Sequence, residues 1–137
     1  MRYLADTTYL IDLVAGEERA VRLARELDAV DETVAISVIT VEEYLRGIYY
    51  LYWDNKSKLK RKLMDAKRDL SAFEILPITY DIAAKAAEIE VDLMKKGEAI
   101  SLADLIIAAT AIHHNLILIT RNIKHFERVK NLRIRSY

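Results

Sequence analysis

Three acidic residues stand at positions where a carboxylate could take part in chemistry. Asp6 directly follows a short apolar segment, Glu43 follows a second one, and Asp104 lies inside the apolar run LADLIIAATA. Burying a charge among apolar residues is costly, so Asp104 in particular requires an explanation. If the three carboxylates converge, their repulsion must be neutralised by protons or a cation. Carboxylate oxygens with few other donors favour Mg²⁺ or Mn²⁺, so these acids indicate a candidate metal site.

Each acid also has an ordinary structural explanation. Asp6 can cap the N-terminus of a following helix. Thr40 precedes Glu43 by three residues, which is the spacing of a capping box, and Ser101 precedes Asp104 by the same interval. Capping is the more frequent role for a single acid. The functional interpretation therefore depends on all three acids occurring together.

The pattern of apolar residues predicts short strands separated by helices. Strands are expected at residues 2–5, 33–37, 74–78, 116–120 and 132–135, and helices at 7–15, 17–30, 40–53, 58–72, 80–96 and 101–114. This order predicts an α/β fold, a three-layer α/β/α sandwich around a mainly parallel sheet. Ligands bind beyond the carboxyl ends of the strands in such sheets, where Asp6 and Glu43 are expected. Placing Asp104 at the same edge is an assumption.

Composition limits the class of protein. The chain has 137 residues, of which 53% are hydrophobic and 31% charged, as expected for one ordered domain over residues 1–137. Lys and Arg number 21, as do Asp and Glu, so overall charge does not indicate a nucleic-acid partner. The absence of cysteine excludes disulfides and thiolate chemistry. Neither a signal peptide nor a membrane-spanning run is expected, which suits the cytoplasm.

Four segments resemble, in order, the motifs of PIN-domain nucleases. DTTYLIDL at 6–13 resembles the first motif and ISVITVEEYLRG at 36–47 the second, with Glu43 rather than Glu42 at the acidic position. SLADLIIAATA at 101–111 resembles the third motif, and LITRNIKHF at 118–126 the fourth. The four segments span nearly the whole chain. Its length most resembles that of the ribonuclease toxins of VapBC toxin–antitoxin pairs.

The resemblance implies a metal-dependent endoribonuclease that hydrolyses phosphodiester bonds of RNA. It implies that Asp6, Glu43 and Asp104 are the catalytic residues and the ligands of Mg²⁺ or Mn²⁺. A homodimer, an antitoxin partner and the absence of a membrane role are further implications.

Three other positions of these motifs are candidates for contacts with substrate or for support of the site. They are Thr8, Thr120 and Asn122. Many relatives carry Asp where this chain has Asn122. An amide supplies an oxygen ligand without a charge, so this residue weakens any second metal site.

Alternative functions keep the same fold. A PIN-fold module that binds RNA or protein without turnover is compatible with Asn122, and a processing nuclease is compatible with the same acids. A phosphoacceptor domain would also use Mg²⁺, but it requires an Asp after the central strand and a late Lys. Lys124 is the only late candidate, and the acids are predicted in other turns.

Surface features outside the motifs have competing interpretations. The helix predicted at 40–53 carries Tyr44, Tyr49, Tyr50, Tyr52 and Trp53, too many aromatic residues for a small core, which indicates a contact with a second copy or an antitoxin helix. Gly47 in that helix suggests the close approach of another chain segment. The basic residues between positions 56 and 68 form either a phosphate-binding patch or a solvated helix face. The histidines at 113, 114 and 125 are expected to be structural.

Overall fold

Within residues 2–137, which a computed structural model describes, five short strands form one sheet. They are β1 (Tyr3–Ala5), β2 (Val34–Ser37), β3 (Glu74–Leu76), β4 (Ile117–Ile119) and β5 (Ile134–Arg135). Their order across the sheet is β3-β2-β1-β4-β5, and every pairing is parallel. Leu4 pairs with Ala35 on one side and with Leu118 on the other. The first strand of the chain is therefore the central one.

The helices that connect the strands cover both faces of the sheet. They are α1 (Thr7–Val14), α2 (Glu18–Ala29), α3 (Val38–Tyr52), α4 (Lys56–Leu70), α5 (Tyr80–Lys95), α6 (Leu102–His113) and α7 (Ile123–Phe126). Successive residues of a strand point to opposite faces. Accordingly, Leu4 packs in a core formed largely by α5 and α6, whereas Tyr3 and Ala5 pack in a core formed largely by α1 and α2. The predicted three-layer α/β/α sandwich is confirmed.

The helix α6 explains why one segment is apolar on nearly every side. Its residues from Leu105 to Ala111 are all buried, because the helix packs against both the sheet and α5. In the described part of the chain, no helix has the length and apolar character required to cross a membrane. The predicted burial of this segment is confirmed, and Asp104 lies in its first turn.

Several predicted helix boundaries are wrong. α3 begins at Val38, where the Ser37 hydroxyl accepts a hydrogen bond of 3.1 Å from the Ile39 N–H, so Thr40 is not its cap. The capping-box explanation for Glu43 therefore fails. α4 begins at Lys56 instead of residue 58, because the Asn55 side chain caps it. The short helix α7 was not predicted.

The interpretation of Gly47 is also wrong for the isolated chain. This residue is exposed on α3, and a side chain built on it would meet no other atom within 4 Å. Nothing in the described chain therefore requires glycine there. Gly16 differs because its φ of +78° lies in the left-handed region, where a Cβ is unfavourable.

Replacing Gly47 with Ala is expected to raise the free energy of unfolding by about 0.5–1 kcal/mol, because alanine loses less backbone freedom in a helix. Urea denaturation provides the measurement. The matched control, Gly16→Ala, is expected to lower that free energy by about 1 kcal/mol. A destabilised Gly47→Ala variant would mean that another surface packs against this face of α3.

Candidate active site

Asp6 lies at the carboxyl end of the central strand and caps the next helix. Its backbone N–H donates to the carbonyl of Ile119 on β4 at 3.1 Å, which continues the sheet past β1. Its carboxylate accepts a hydrogen bond of 2.7 Å from the Tyr9 N–H in the first turn of α1. The residue is only 3% exposed. The predicted capping role is present, together with a burial that capping does not require.

Burial changes the acidity of Asp6. Desolvation disfavours the ionised form and raises the pKa of this carboxyl from 3.8 to about 6. Hydrogen bonds from Thr120 and from the Tyr9 N–H lower the pKa, while the negative charges of Asp104 and Asp12 raise it further. The site thus holds a carboxylate at neutral pH that would be stabilised by a positive charge.

Asp104 is placed at this same edge of the sheet. Its negative charge acts on Asp6, as the pKa of Asp6 records. One carboxylate oxygen lies 3.3 Å from Nδ1 of His125, and the Asp104 N–H donates to the Ser101 hydroxyl at 3.1 Å. Asp104 therefore both occupies a capped first turn and faces another helix. His125, expected to be structural, has an exposed ring that contacts this candidate site residue.

Glu43 reaches the site from α3. Its carboxylate accepts a hydrogen bond of 2.6 Å from the hydroxyl of Thr7, the residue next to Asp6. The same Thr7 hydroxyl lies 3.1 Å from that of the buried Thr40. Arg46 approaches the other oxygen of Glu43 at 3.8 Å. Glu43 is therefore held beside the first motif, with its charge partly balanced by Arg46.

The three predicted supporting residues lie together. The buried Thr120 hydroxyl accepts a hydrogen bond of 2.9 Å from the Asn122 N–H, in addition to its contact with Asp6. The side-chain amide of Asn122 donates to the Thr8 hydroxyl at 3.3 Å. This chain of contacts joins the end of β4 to the start of α1. It fixes the segment on which Asp6 depends.

The carboxylates of the site are the chemical groups that bind a divalent cation, but they are not grouped as a bound cation would require. Among residues 2–137, no three His, Asp or Glu side chains are arranged so that they could hold a metal ion. Asp6 and Asp104 interact electrostatically, whereas the Glu43 carboxylate is engaged by Thr7. The paired carboxylates and the raised pKa of Asp6 fit a hard cation, which would remove their repulsion.

A second polar cluster was not foreseen from the sequence. The Asp12 carboxylate accepts a hydrogen bond of 2.6 Å from the Tyr137 hydroxyl, and it forms an ion pair with Arg121 at 3.1 Å. The Tyr137 ring packs edge-on against Tyr9, with ring centroids 5.0 Å apart. Asp12 lies in the first motif and Arg121 in the fourth, but no local pattern links them to residue 137. The ion pair with Arg121 balances part of the negative charge of Asp12, which raises the pKa of Asp6.

The PIN domain family model matches residues 3–132, and the chain belongs to the PIN domain family. It is 35% identical to Ribonuclease VapC1 of Methanocaldococcus jannaschii over 136 residues, which covers 99% of this chain and 87% of that protein. It is also 35% identical over 115 residues to a VapC ribonuclease of Pyrococcus furiosus, covering 84% of this chain and 72% of that protein.

Solved structures show the same fold. The VapBC2 structure from Rickettsia felis, bound to a DNA fragment from its promoter, contains a chain that matches with a TM-score of 0.84 and 29% identity over 100% of this chain and 99% of that one. FitAcB from Neisseria gonorrhoeae matches with a TM-score of 0.81 and 29% identity, covering 96% of this chain and 95% of that chain. The predicted resemblance to PIN-domain nucleases is confirmed at the level of family and fold.

Replacing Asp6 with Asn is expected to stabilise the metal-free chain at neutral pH. The folded-state pKa of Asp6 is raised, so its contribution to stability is fully present below about 3.8 and is lost as pH rises through about 6. Asn keeps the capping oxygen but carries no charge. At about pH 7.5 the variant should gain on the order of 2 kcal/mol in free energy of unfolding, and near pH 4 the gain should largely disappear.

Urea denaturation in the presence of a chelator measures this difference at both pH values. Asp81→Asn is the matched control, because Asp81 is an exposed acid on α5 and should show no such gain. Equal stabilities of Asp6→Asn and the unmodified chain at neutral pH would show that burial does not strain the Asp6 carboxylate.

Proposed function

We propose that the chain is a divalent-metal-dependent endoribonuclease that acts as the toxin of a toxin–antitoxin pair. The observation that carries this proposal is the buried carboxylate of Asp6, set at the carboxyl end of the central strand and subject to the charge of Asp104. Two interacting acids in such a place are unfavourable without a cation. Relatives named as VapC ribonucleases support the activity.

In this proposal Asp6, Glu43 and Asp104 would hold Mg²⁺ or Mn²⁺ once the cation draws the three carboxylates, which are not grouped around one point in the metal-free chain, into ligating distance. The bound cation would supply Lewis acidity that lowers the pKa of water and stabilises the leaving oxygen of the phosphodiester. Asp6 is oriented by the Tyr9 N–H and the Thr120 hydroxyl, so its oxygens are fixed before the substrate arrives. Because Asp6 is shielded from solvent, its attraction to a cation is screened weakly.

Glu43 and Asn122 limit how many cations the site would hold. The hydrogen bond from Thr7 keeps the Glu43 carboxylate beside the first motif, as the third acid of the set. Asn122 adds no negative charge and is engaged with Thr8, which favours a single cation over a pair. Thr8 and Asn122 together present a hydroxyl and an amide that can contact a phosphate of the substrate.

The proposal includes protein partners and a place of action. Solved relatives are described as VapBC complexes, which supports an antitoxin partner, and a homodimer is part of the same proposal. A groove of about 560 Å³ runs between α1, α3 and α4, with an apolar side that includes Ile11, Ile48 and Leu51 and a charged side from α4. The charged residues are Lys62, Asp65, Arg68 and Asp69. A groove of this kind fits an amphipathic helix of an antitoxin. An RNA substrate places the activity in the cytoplasm.

The phosphoacceptor function receives no support. Asp6 does follow the central strand, contrary to the sequence-based placement, but the side chain facing Asp104 is the ring of His125 and not Lys124. Membership of the PIN domain family favours hydrolysis instead. A binding module without turnover and a processing nuclease remain outcomes that the following experiment distinguishes.

The full chain is expected to cleave RNA internally with Mn²⁺ or Mg²⁺ and to be inactive with a chelator. Asp6→Asn and Asp104→Asn should each lower the rate at least about 100-fold, because a ligand that fixes the cation is removed. The control Asp81→Asn should cleave at the unmodified rate. RNA binding without cleavage under all metal conditions would indicate a binding module, whereas cleavage of one RNA precursor without growth inhibition would indicate a processing nuclease.

His125 is expected to act as a positioning residue for Asp104. Its Nδ1–H can donate to the Asp104 carboxylate, a type of support that typically changes metal affinity 10- to 100-fold. His125→Ala should therefore weaken Mn²⁺ binding about tenfold, measured by calorimetry, and His125→Asn should recover part of the loss. The control is Lys124→Ala on the same short helix. Unchanged Mn²⁺ affinity in His125→Ala would contradict this role.

A further inference from the structure

A strip of cationic and aromatic side chains leads from the candidate active site along α3 and onto α4. On α3 it contains Arg46, Tyr50 and Trp53, whose spacings of four and three residues place them on one helix face. Across the turn it continues with Lys56 and Lys60 on α4, again four residues apart. All five are exposed. We call this set the α3–α4 strip.

The aromatic members of the strip are unusually accessible. Tyr50 is 85% exposed and Trp53 is 58% exposed, although aromatic residues usually bury their large apolar surfaces. The ammonium group of Lys56 lies 4.2 Å from the centre of the Trp53 ring. The Tyr49 ring is tilted relative to the Trp53 ring, with the two ring centroids 6.4 Å apart. One face of the indole is therefore paired with a cation, while much of the side chain stays open to a planar ligand.

Positive charge is concentrated on α4, although the protein as a whole has a formal net charge of zero. α4 carries seven basic and two acidic residues. The two acids, Asp65 and Asp69, both lie 3.7 Å from Arg68 and away from Lys56 and Lys60. The acids on or beside the strip are Glu42 and Glu43, which pair with Arg46 at 3.7 and 3.8 Å, and Asp54 in the turn.

The strip starts at the site itself. Arg46 lies 3.8 Å from Glu43, one of the three candidate carboxylates. From Glu43 to Trp53 the helix rises about 15 Å, at roughly 1.5 Å per residue. A polymer seated along this face would thus pass from the tip of the α3–α4 hairpin directly to the acids.

We propose that the α3–α4 strip binds a single-stranded segment of the RNA substrate beside the scissile bond; this inference rests on the proposed function. Two neighbouring aromatic rings flanked by cations suit a chain of bases and phosphates, because bases stack on the rings while phosphates pair with lysine and arginine. A second copy of this chain fits the strip poorly, since a symmetric contact would bring the same positive charges together.

The binding test uses the full chain carrying Asp6→Asn, in a chelator, so that RNA is bound without being cleaved. The probe is a fluorescently labelled single-stranded oligouridylate of about 12 nucleotides, within the usual length of such binding surfaces. Affinity is measured by fluorescence anisotropy over a range of salt concentrations. Circular dichroism and thermal unfolding establish that each variant is folded.

Trp53→Ala should weaken binding at least about fivefold, because one stacking platform is lost, while Trp53→Phe should retain most of the affinity. The double variant Lys56→Glu and Lys60→Glu should weaken binding and reduce the slope of log affinity against log salt by about 1.4, the value for two phosphates on a single strand. Arg25→Glu with Lys95→Glu is the matched control, since both residues are exposed on other helices.

The outcomes separate the two proposals. Failure of the metal-activated chain to cleave RNA, combined with binding lost in the strip variants alone, would overturn the proposed function and leave the strip in place. Cleavage by the unmodified chain, combined with unchanged affinity and salt slope in the strip variants, would overturn the strip. Unchanged RNA binding by Trp53→Ala together with loss of a dimer in light scattering would assign this surface to subunit contact instead.

Discussion

The desolvation of one carboxylate is the constraint on which the site depends. Asp6 follows the central strand and is covered by neighbouring elements, so its ionised form is held in an unfavourable environment. The fold compensates only in part, through the Tyr9 N–H and the Thr120 hydroxyl. The uncompensated part of this desolvation cost would be offset by a small cation bound to the carboxylate. The buried charge of Asp6 therefore costs the metal-free chain stability, as is common at functional sites.

The parallel topology of the sheet explains how residues that are distant in the sequence meet beside Asp6. Each strand ends at the same edge of the sheet, and α1, α3 and α5 begin there with first turns capped by a side chain. Because α1, α3 and α7 all start beyond that edge, Thr7 contacts Glu43 and Asn122 contacts Thr8. The hydroxyl and amide contacts hold the loops in place, which leaves the carboxylates as the chemically distinctive groups.

The sequence predicted the parts of this structure that rest on repeated local patterns. The alternation of strands and helices and the burial of α6 are both confirmed. Predictions failed where one polar side chain decided the outcome, as when Ser37 began α3 ahead of Thr40. The contact between His125 and Asp104 joins two helices through space, and the pairing of Asp12 with Tyr137 spans almost the whole chain. No periodicity could reveal either one.

The order of the strands has a consequence for when the site comes into being during synthesis. β1 leaves the ribosome before the strands that pair with it, and its second neighbour, β4, follows more than a hundred residues later. Asp6 receives its cover and its Thr120 contact only after that segment emerges. Until β4 has been synthesised, the growing chain therefore carries Asp6 in water, and the assembly of this edge of the sheet waits for that strand.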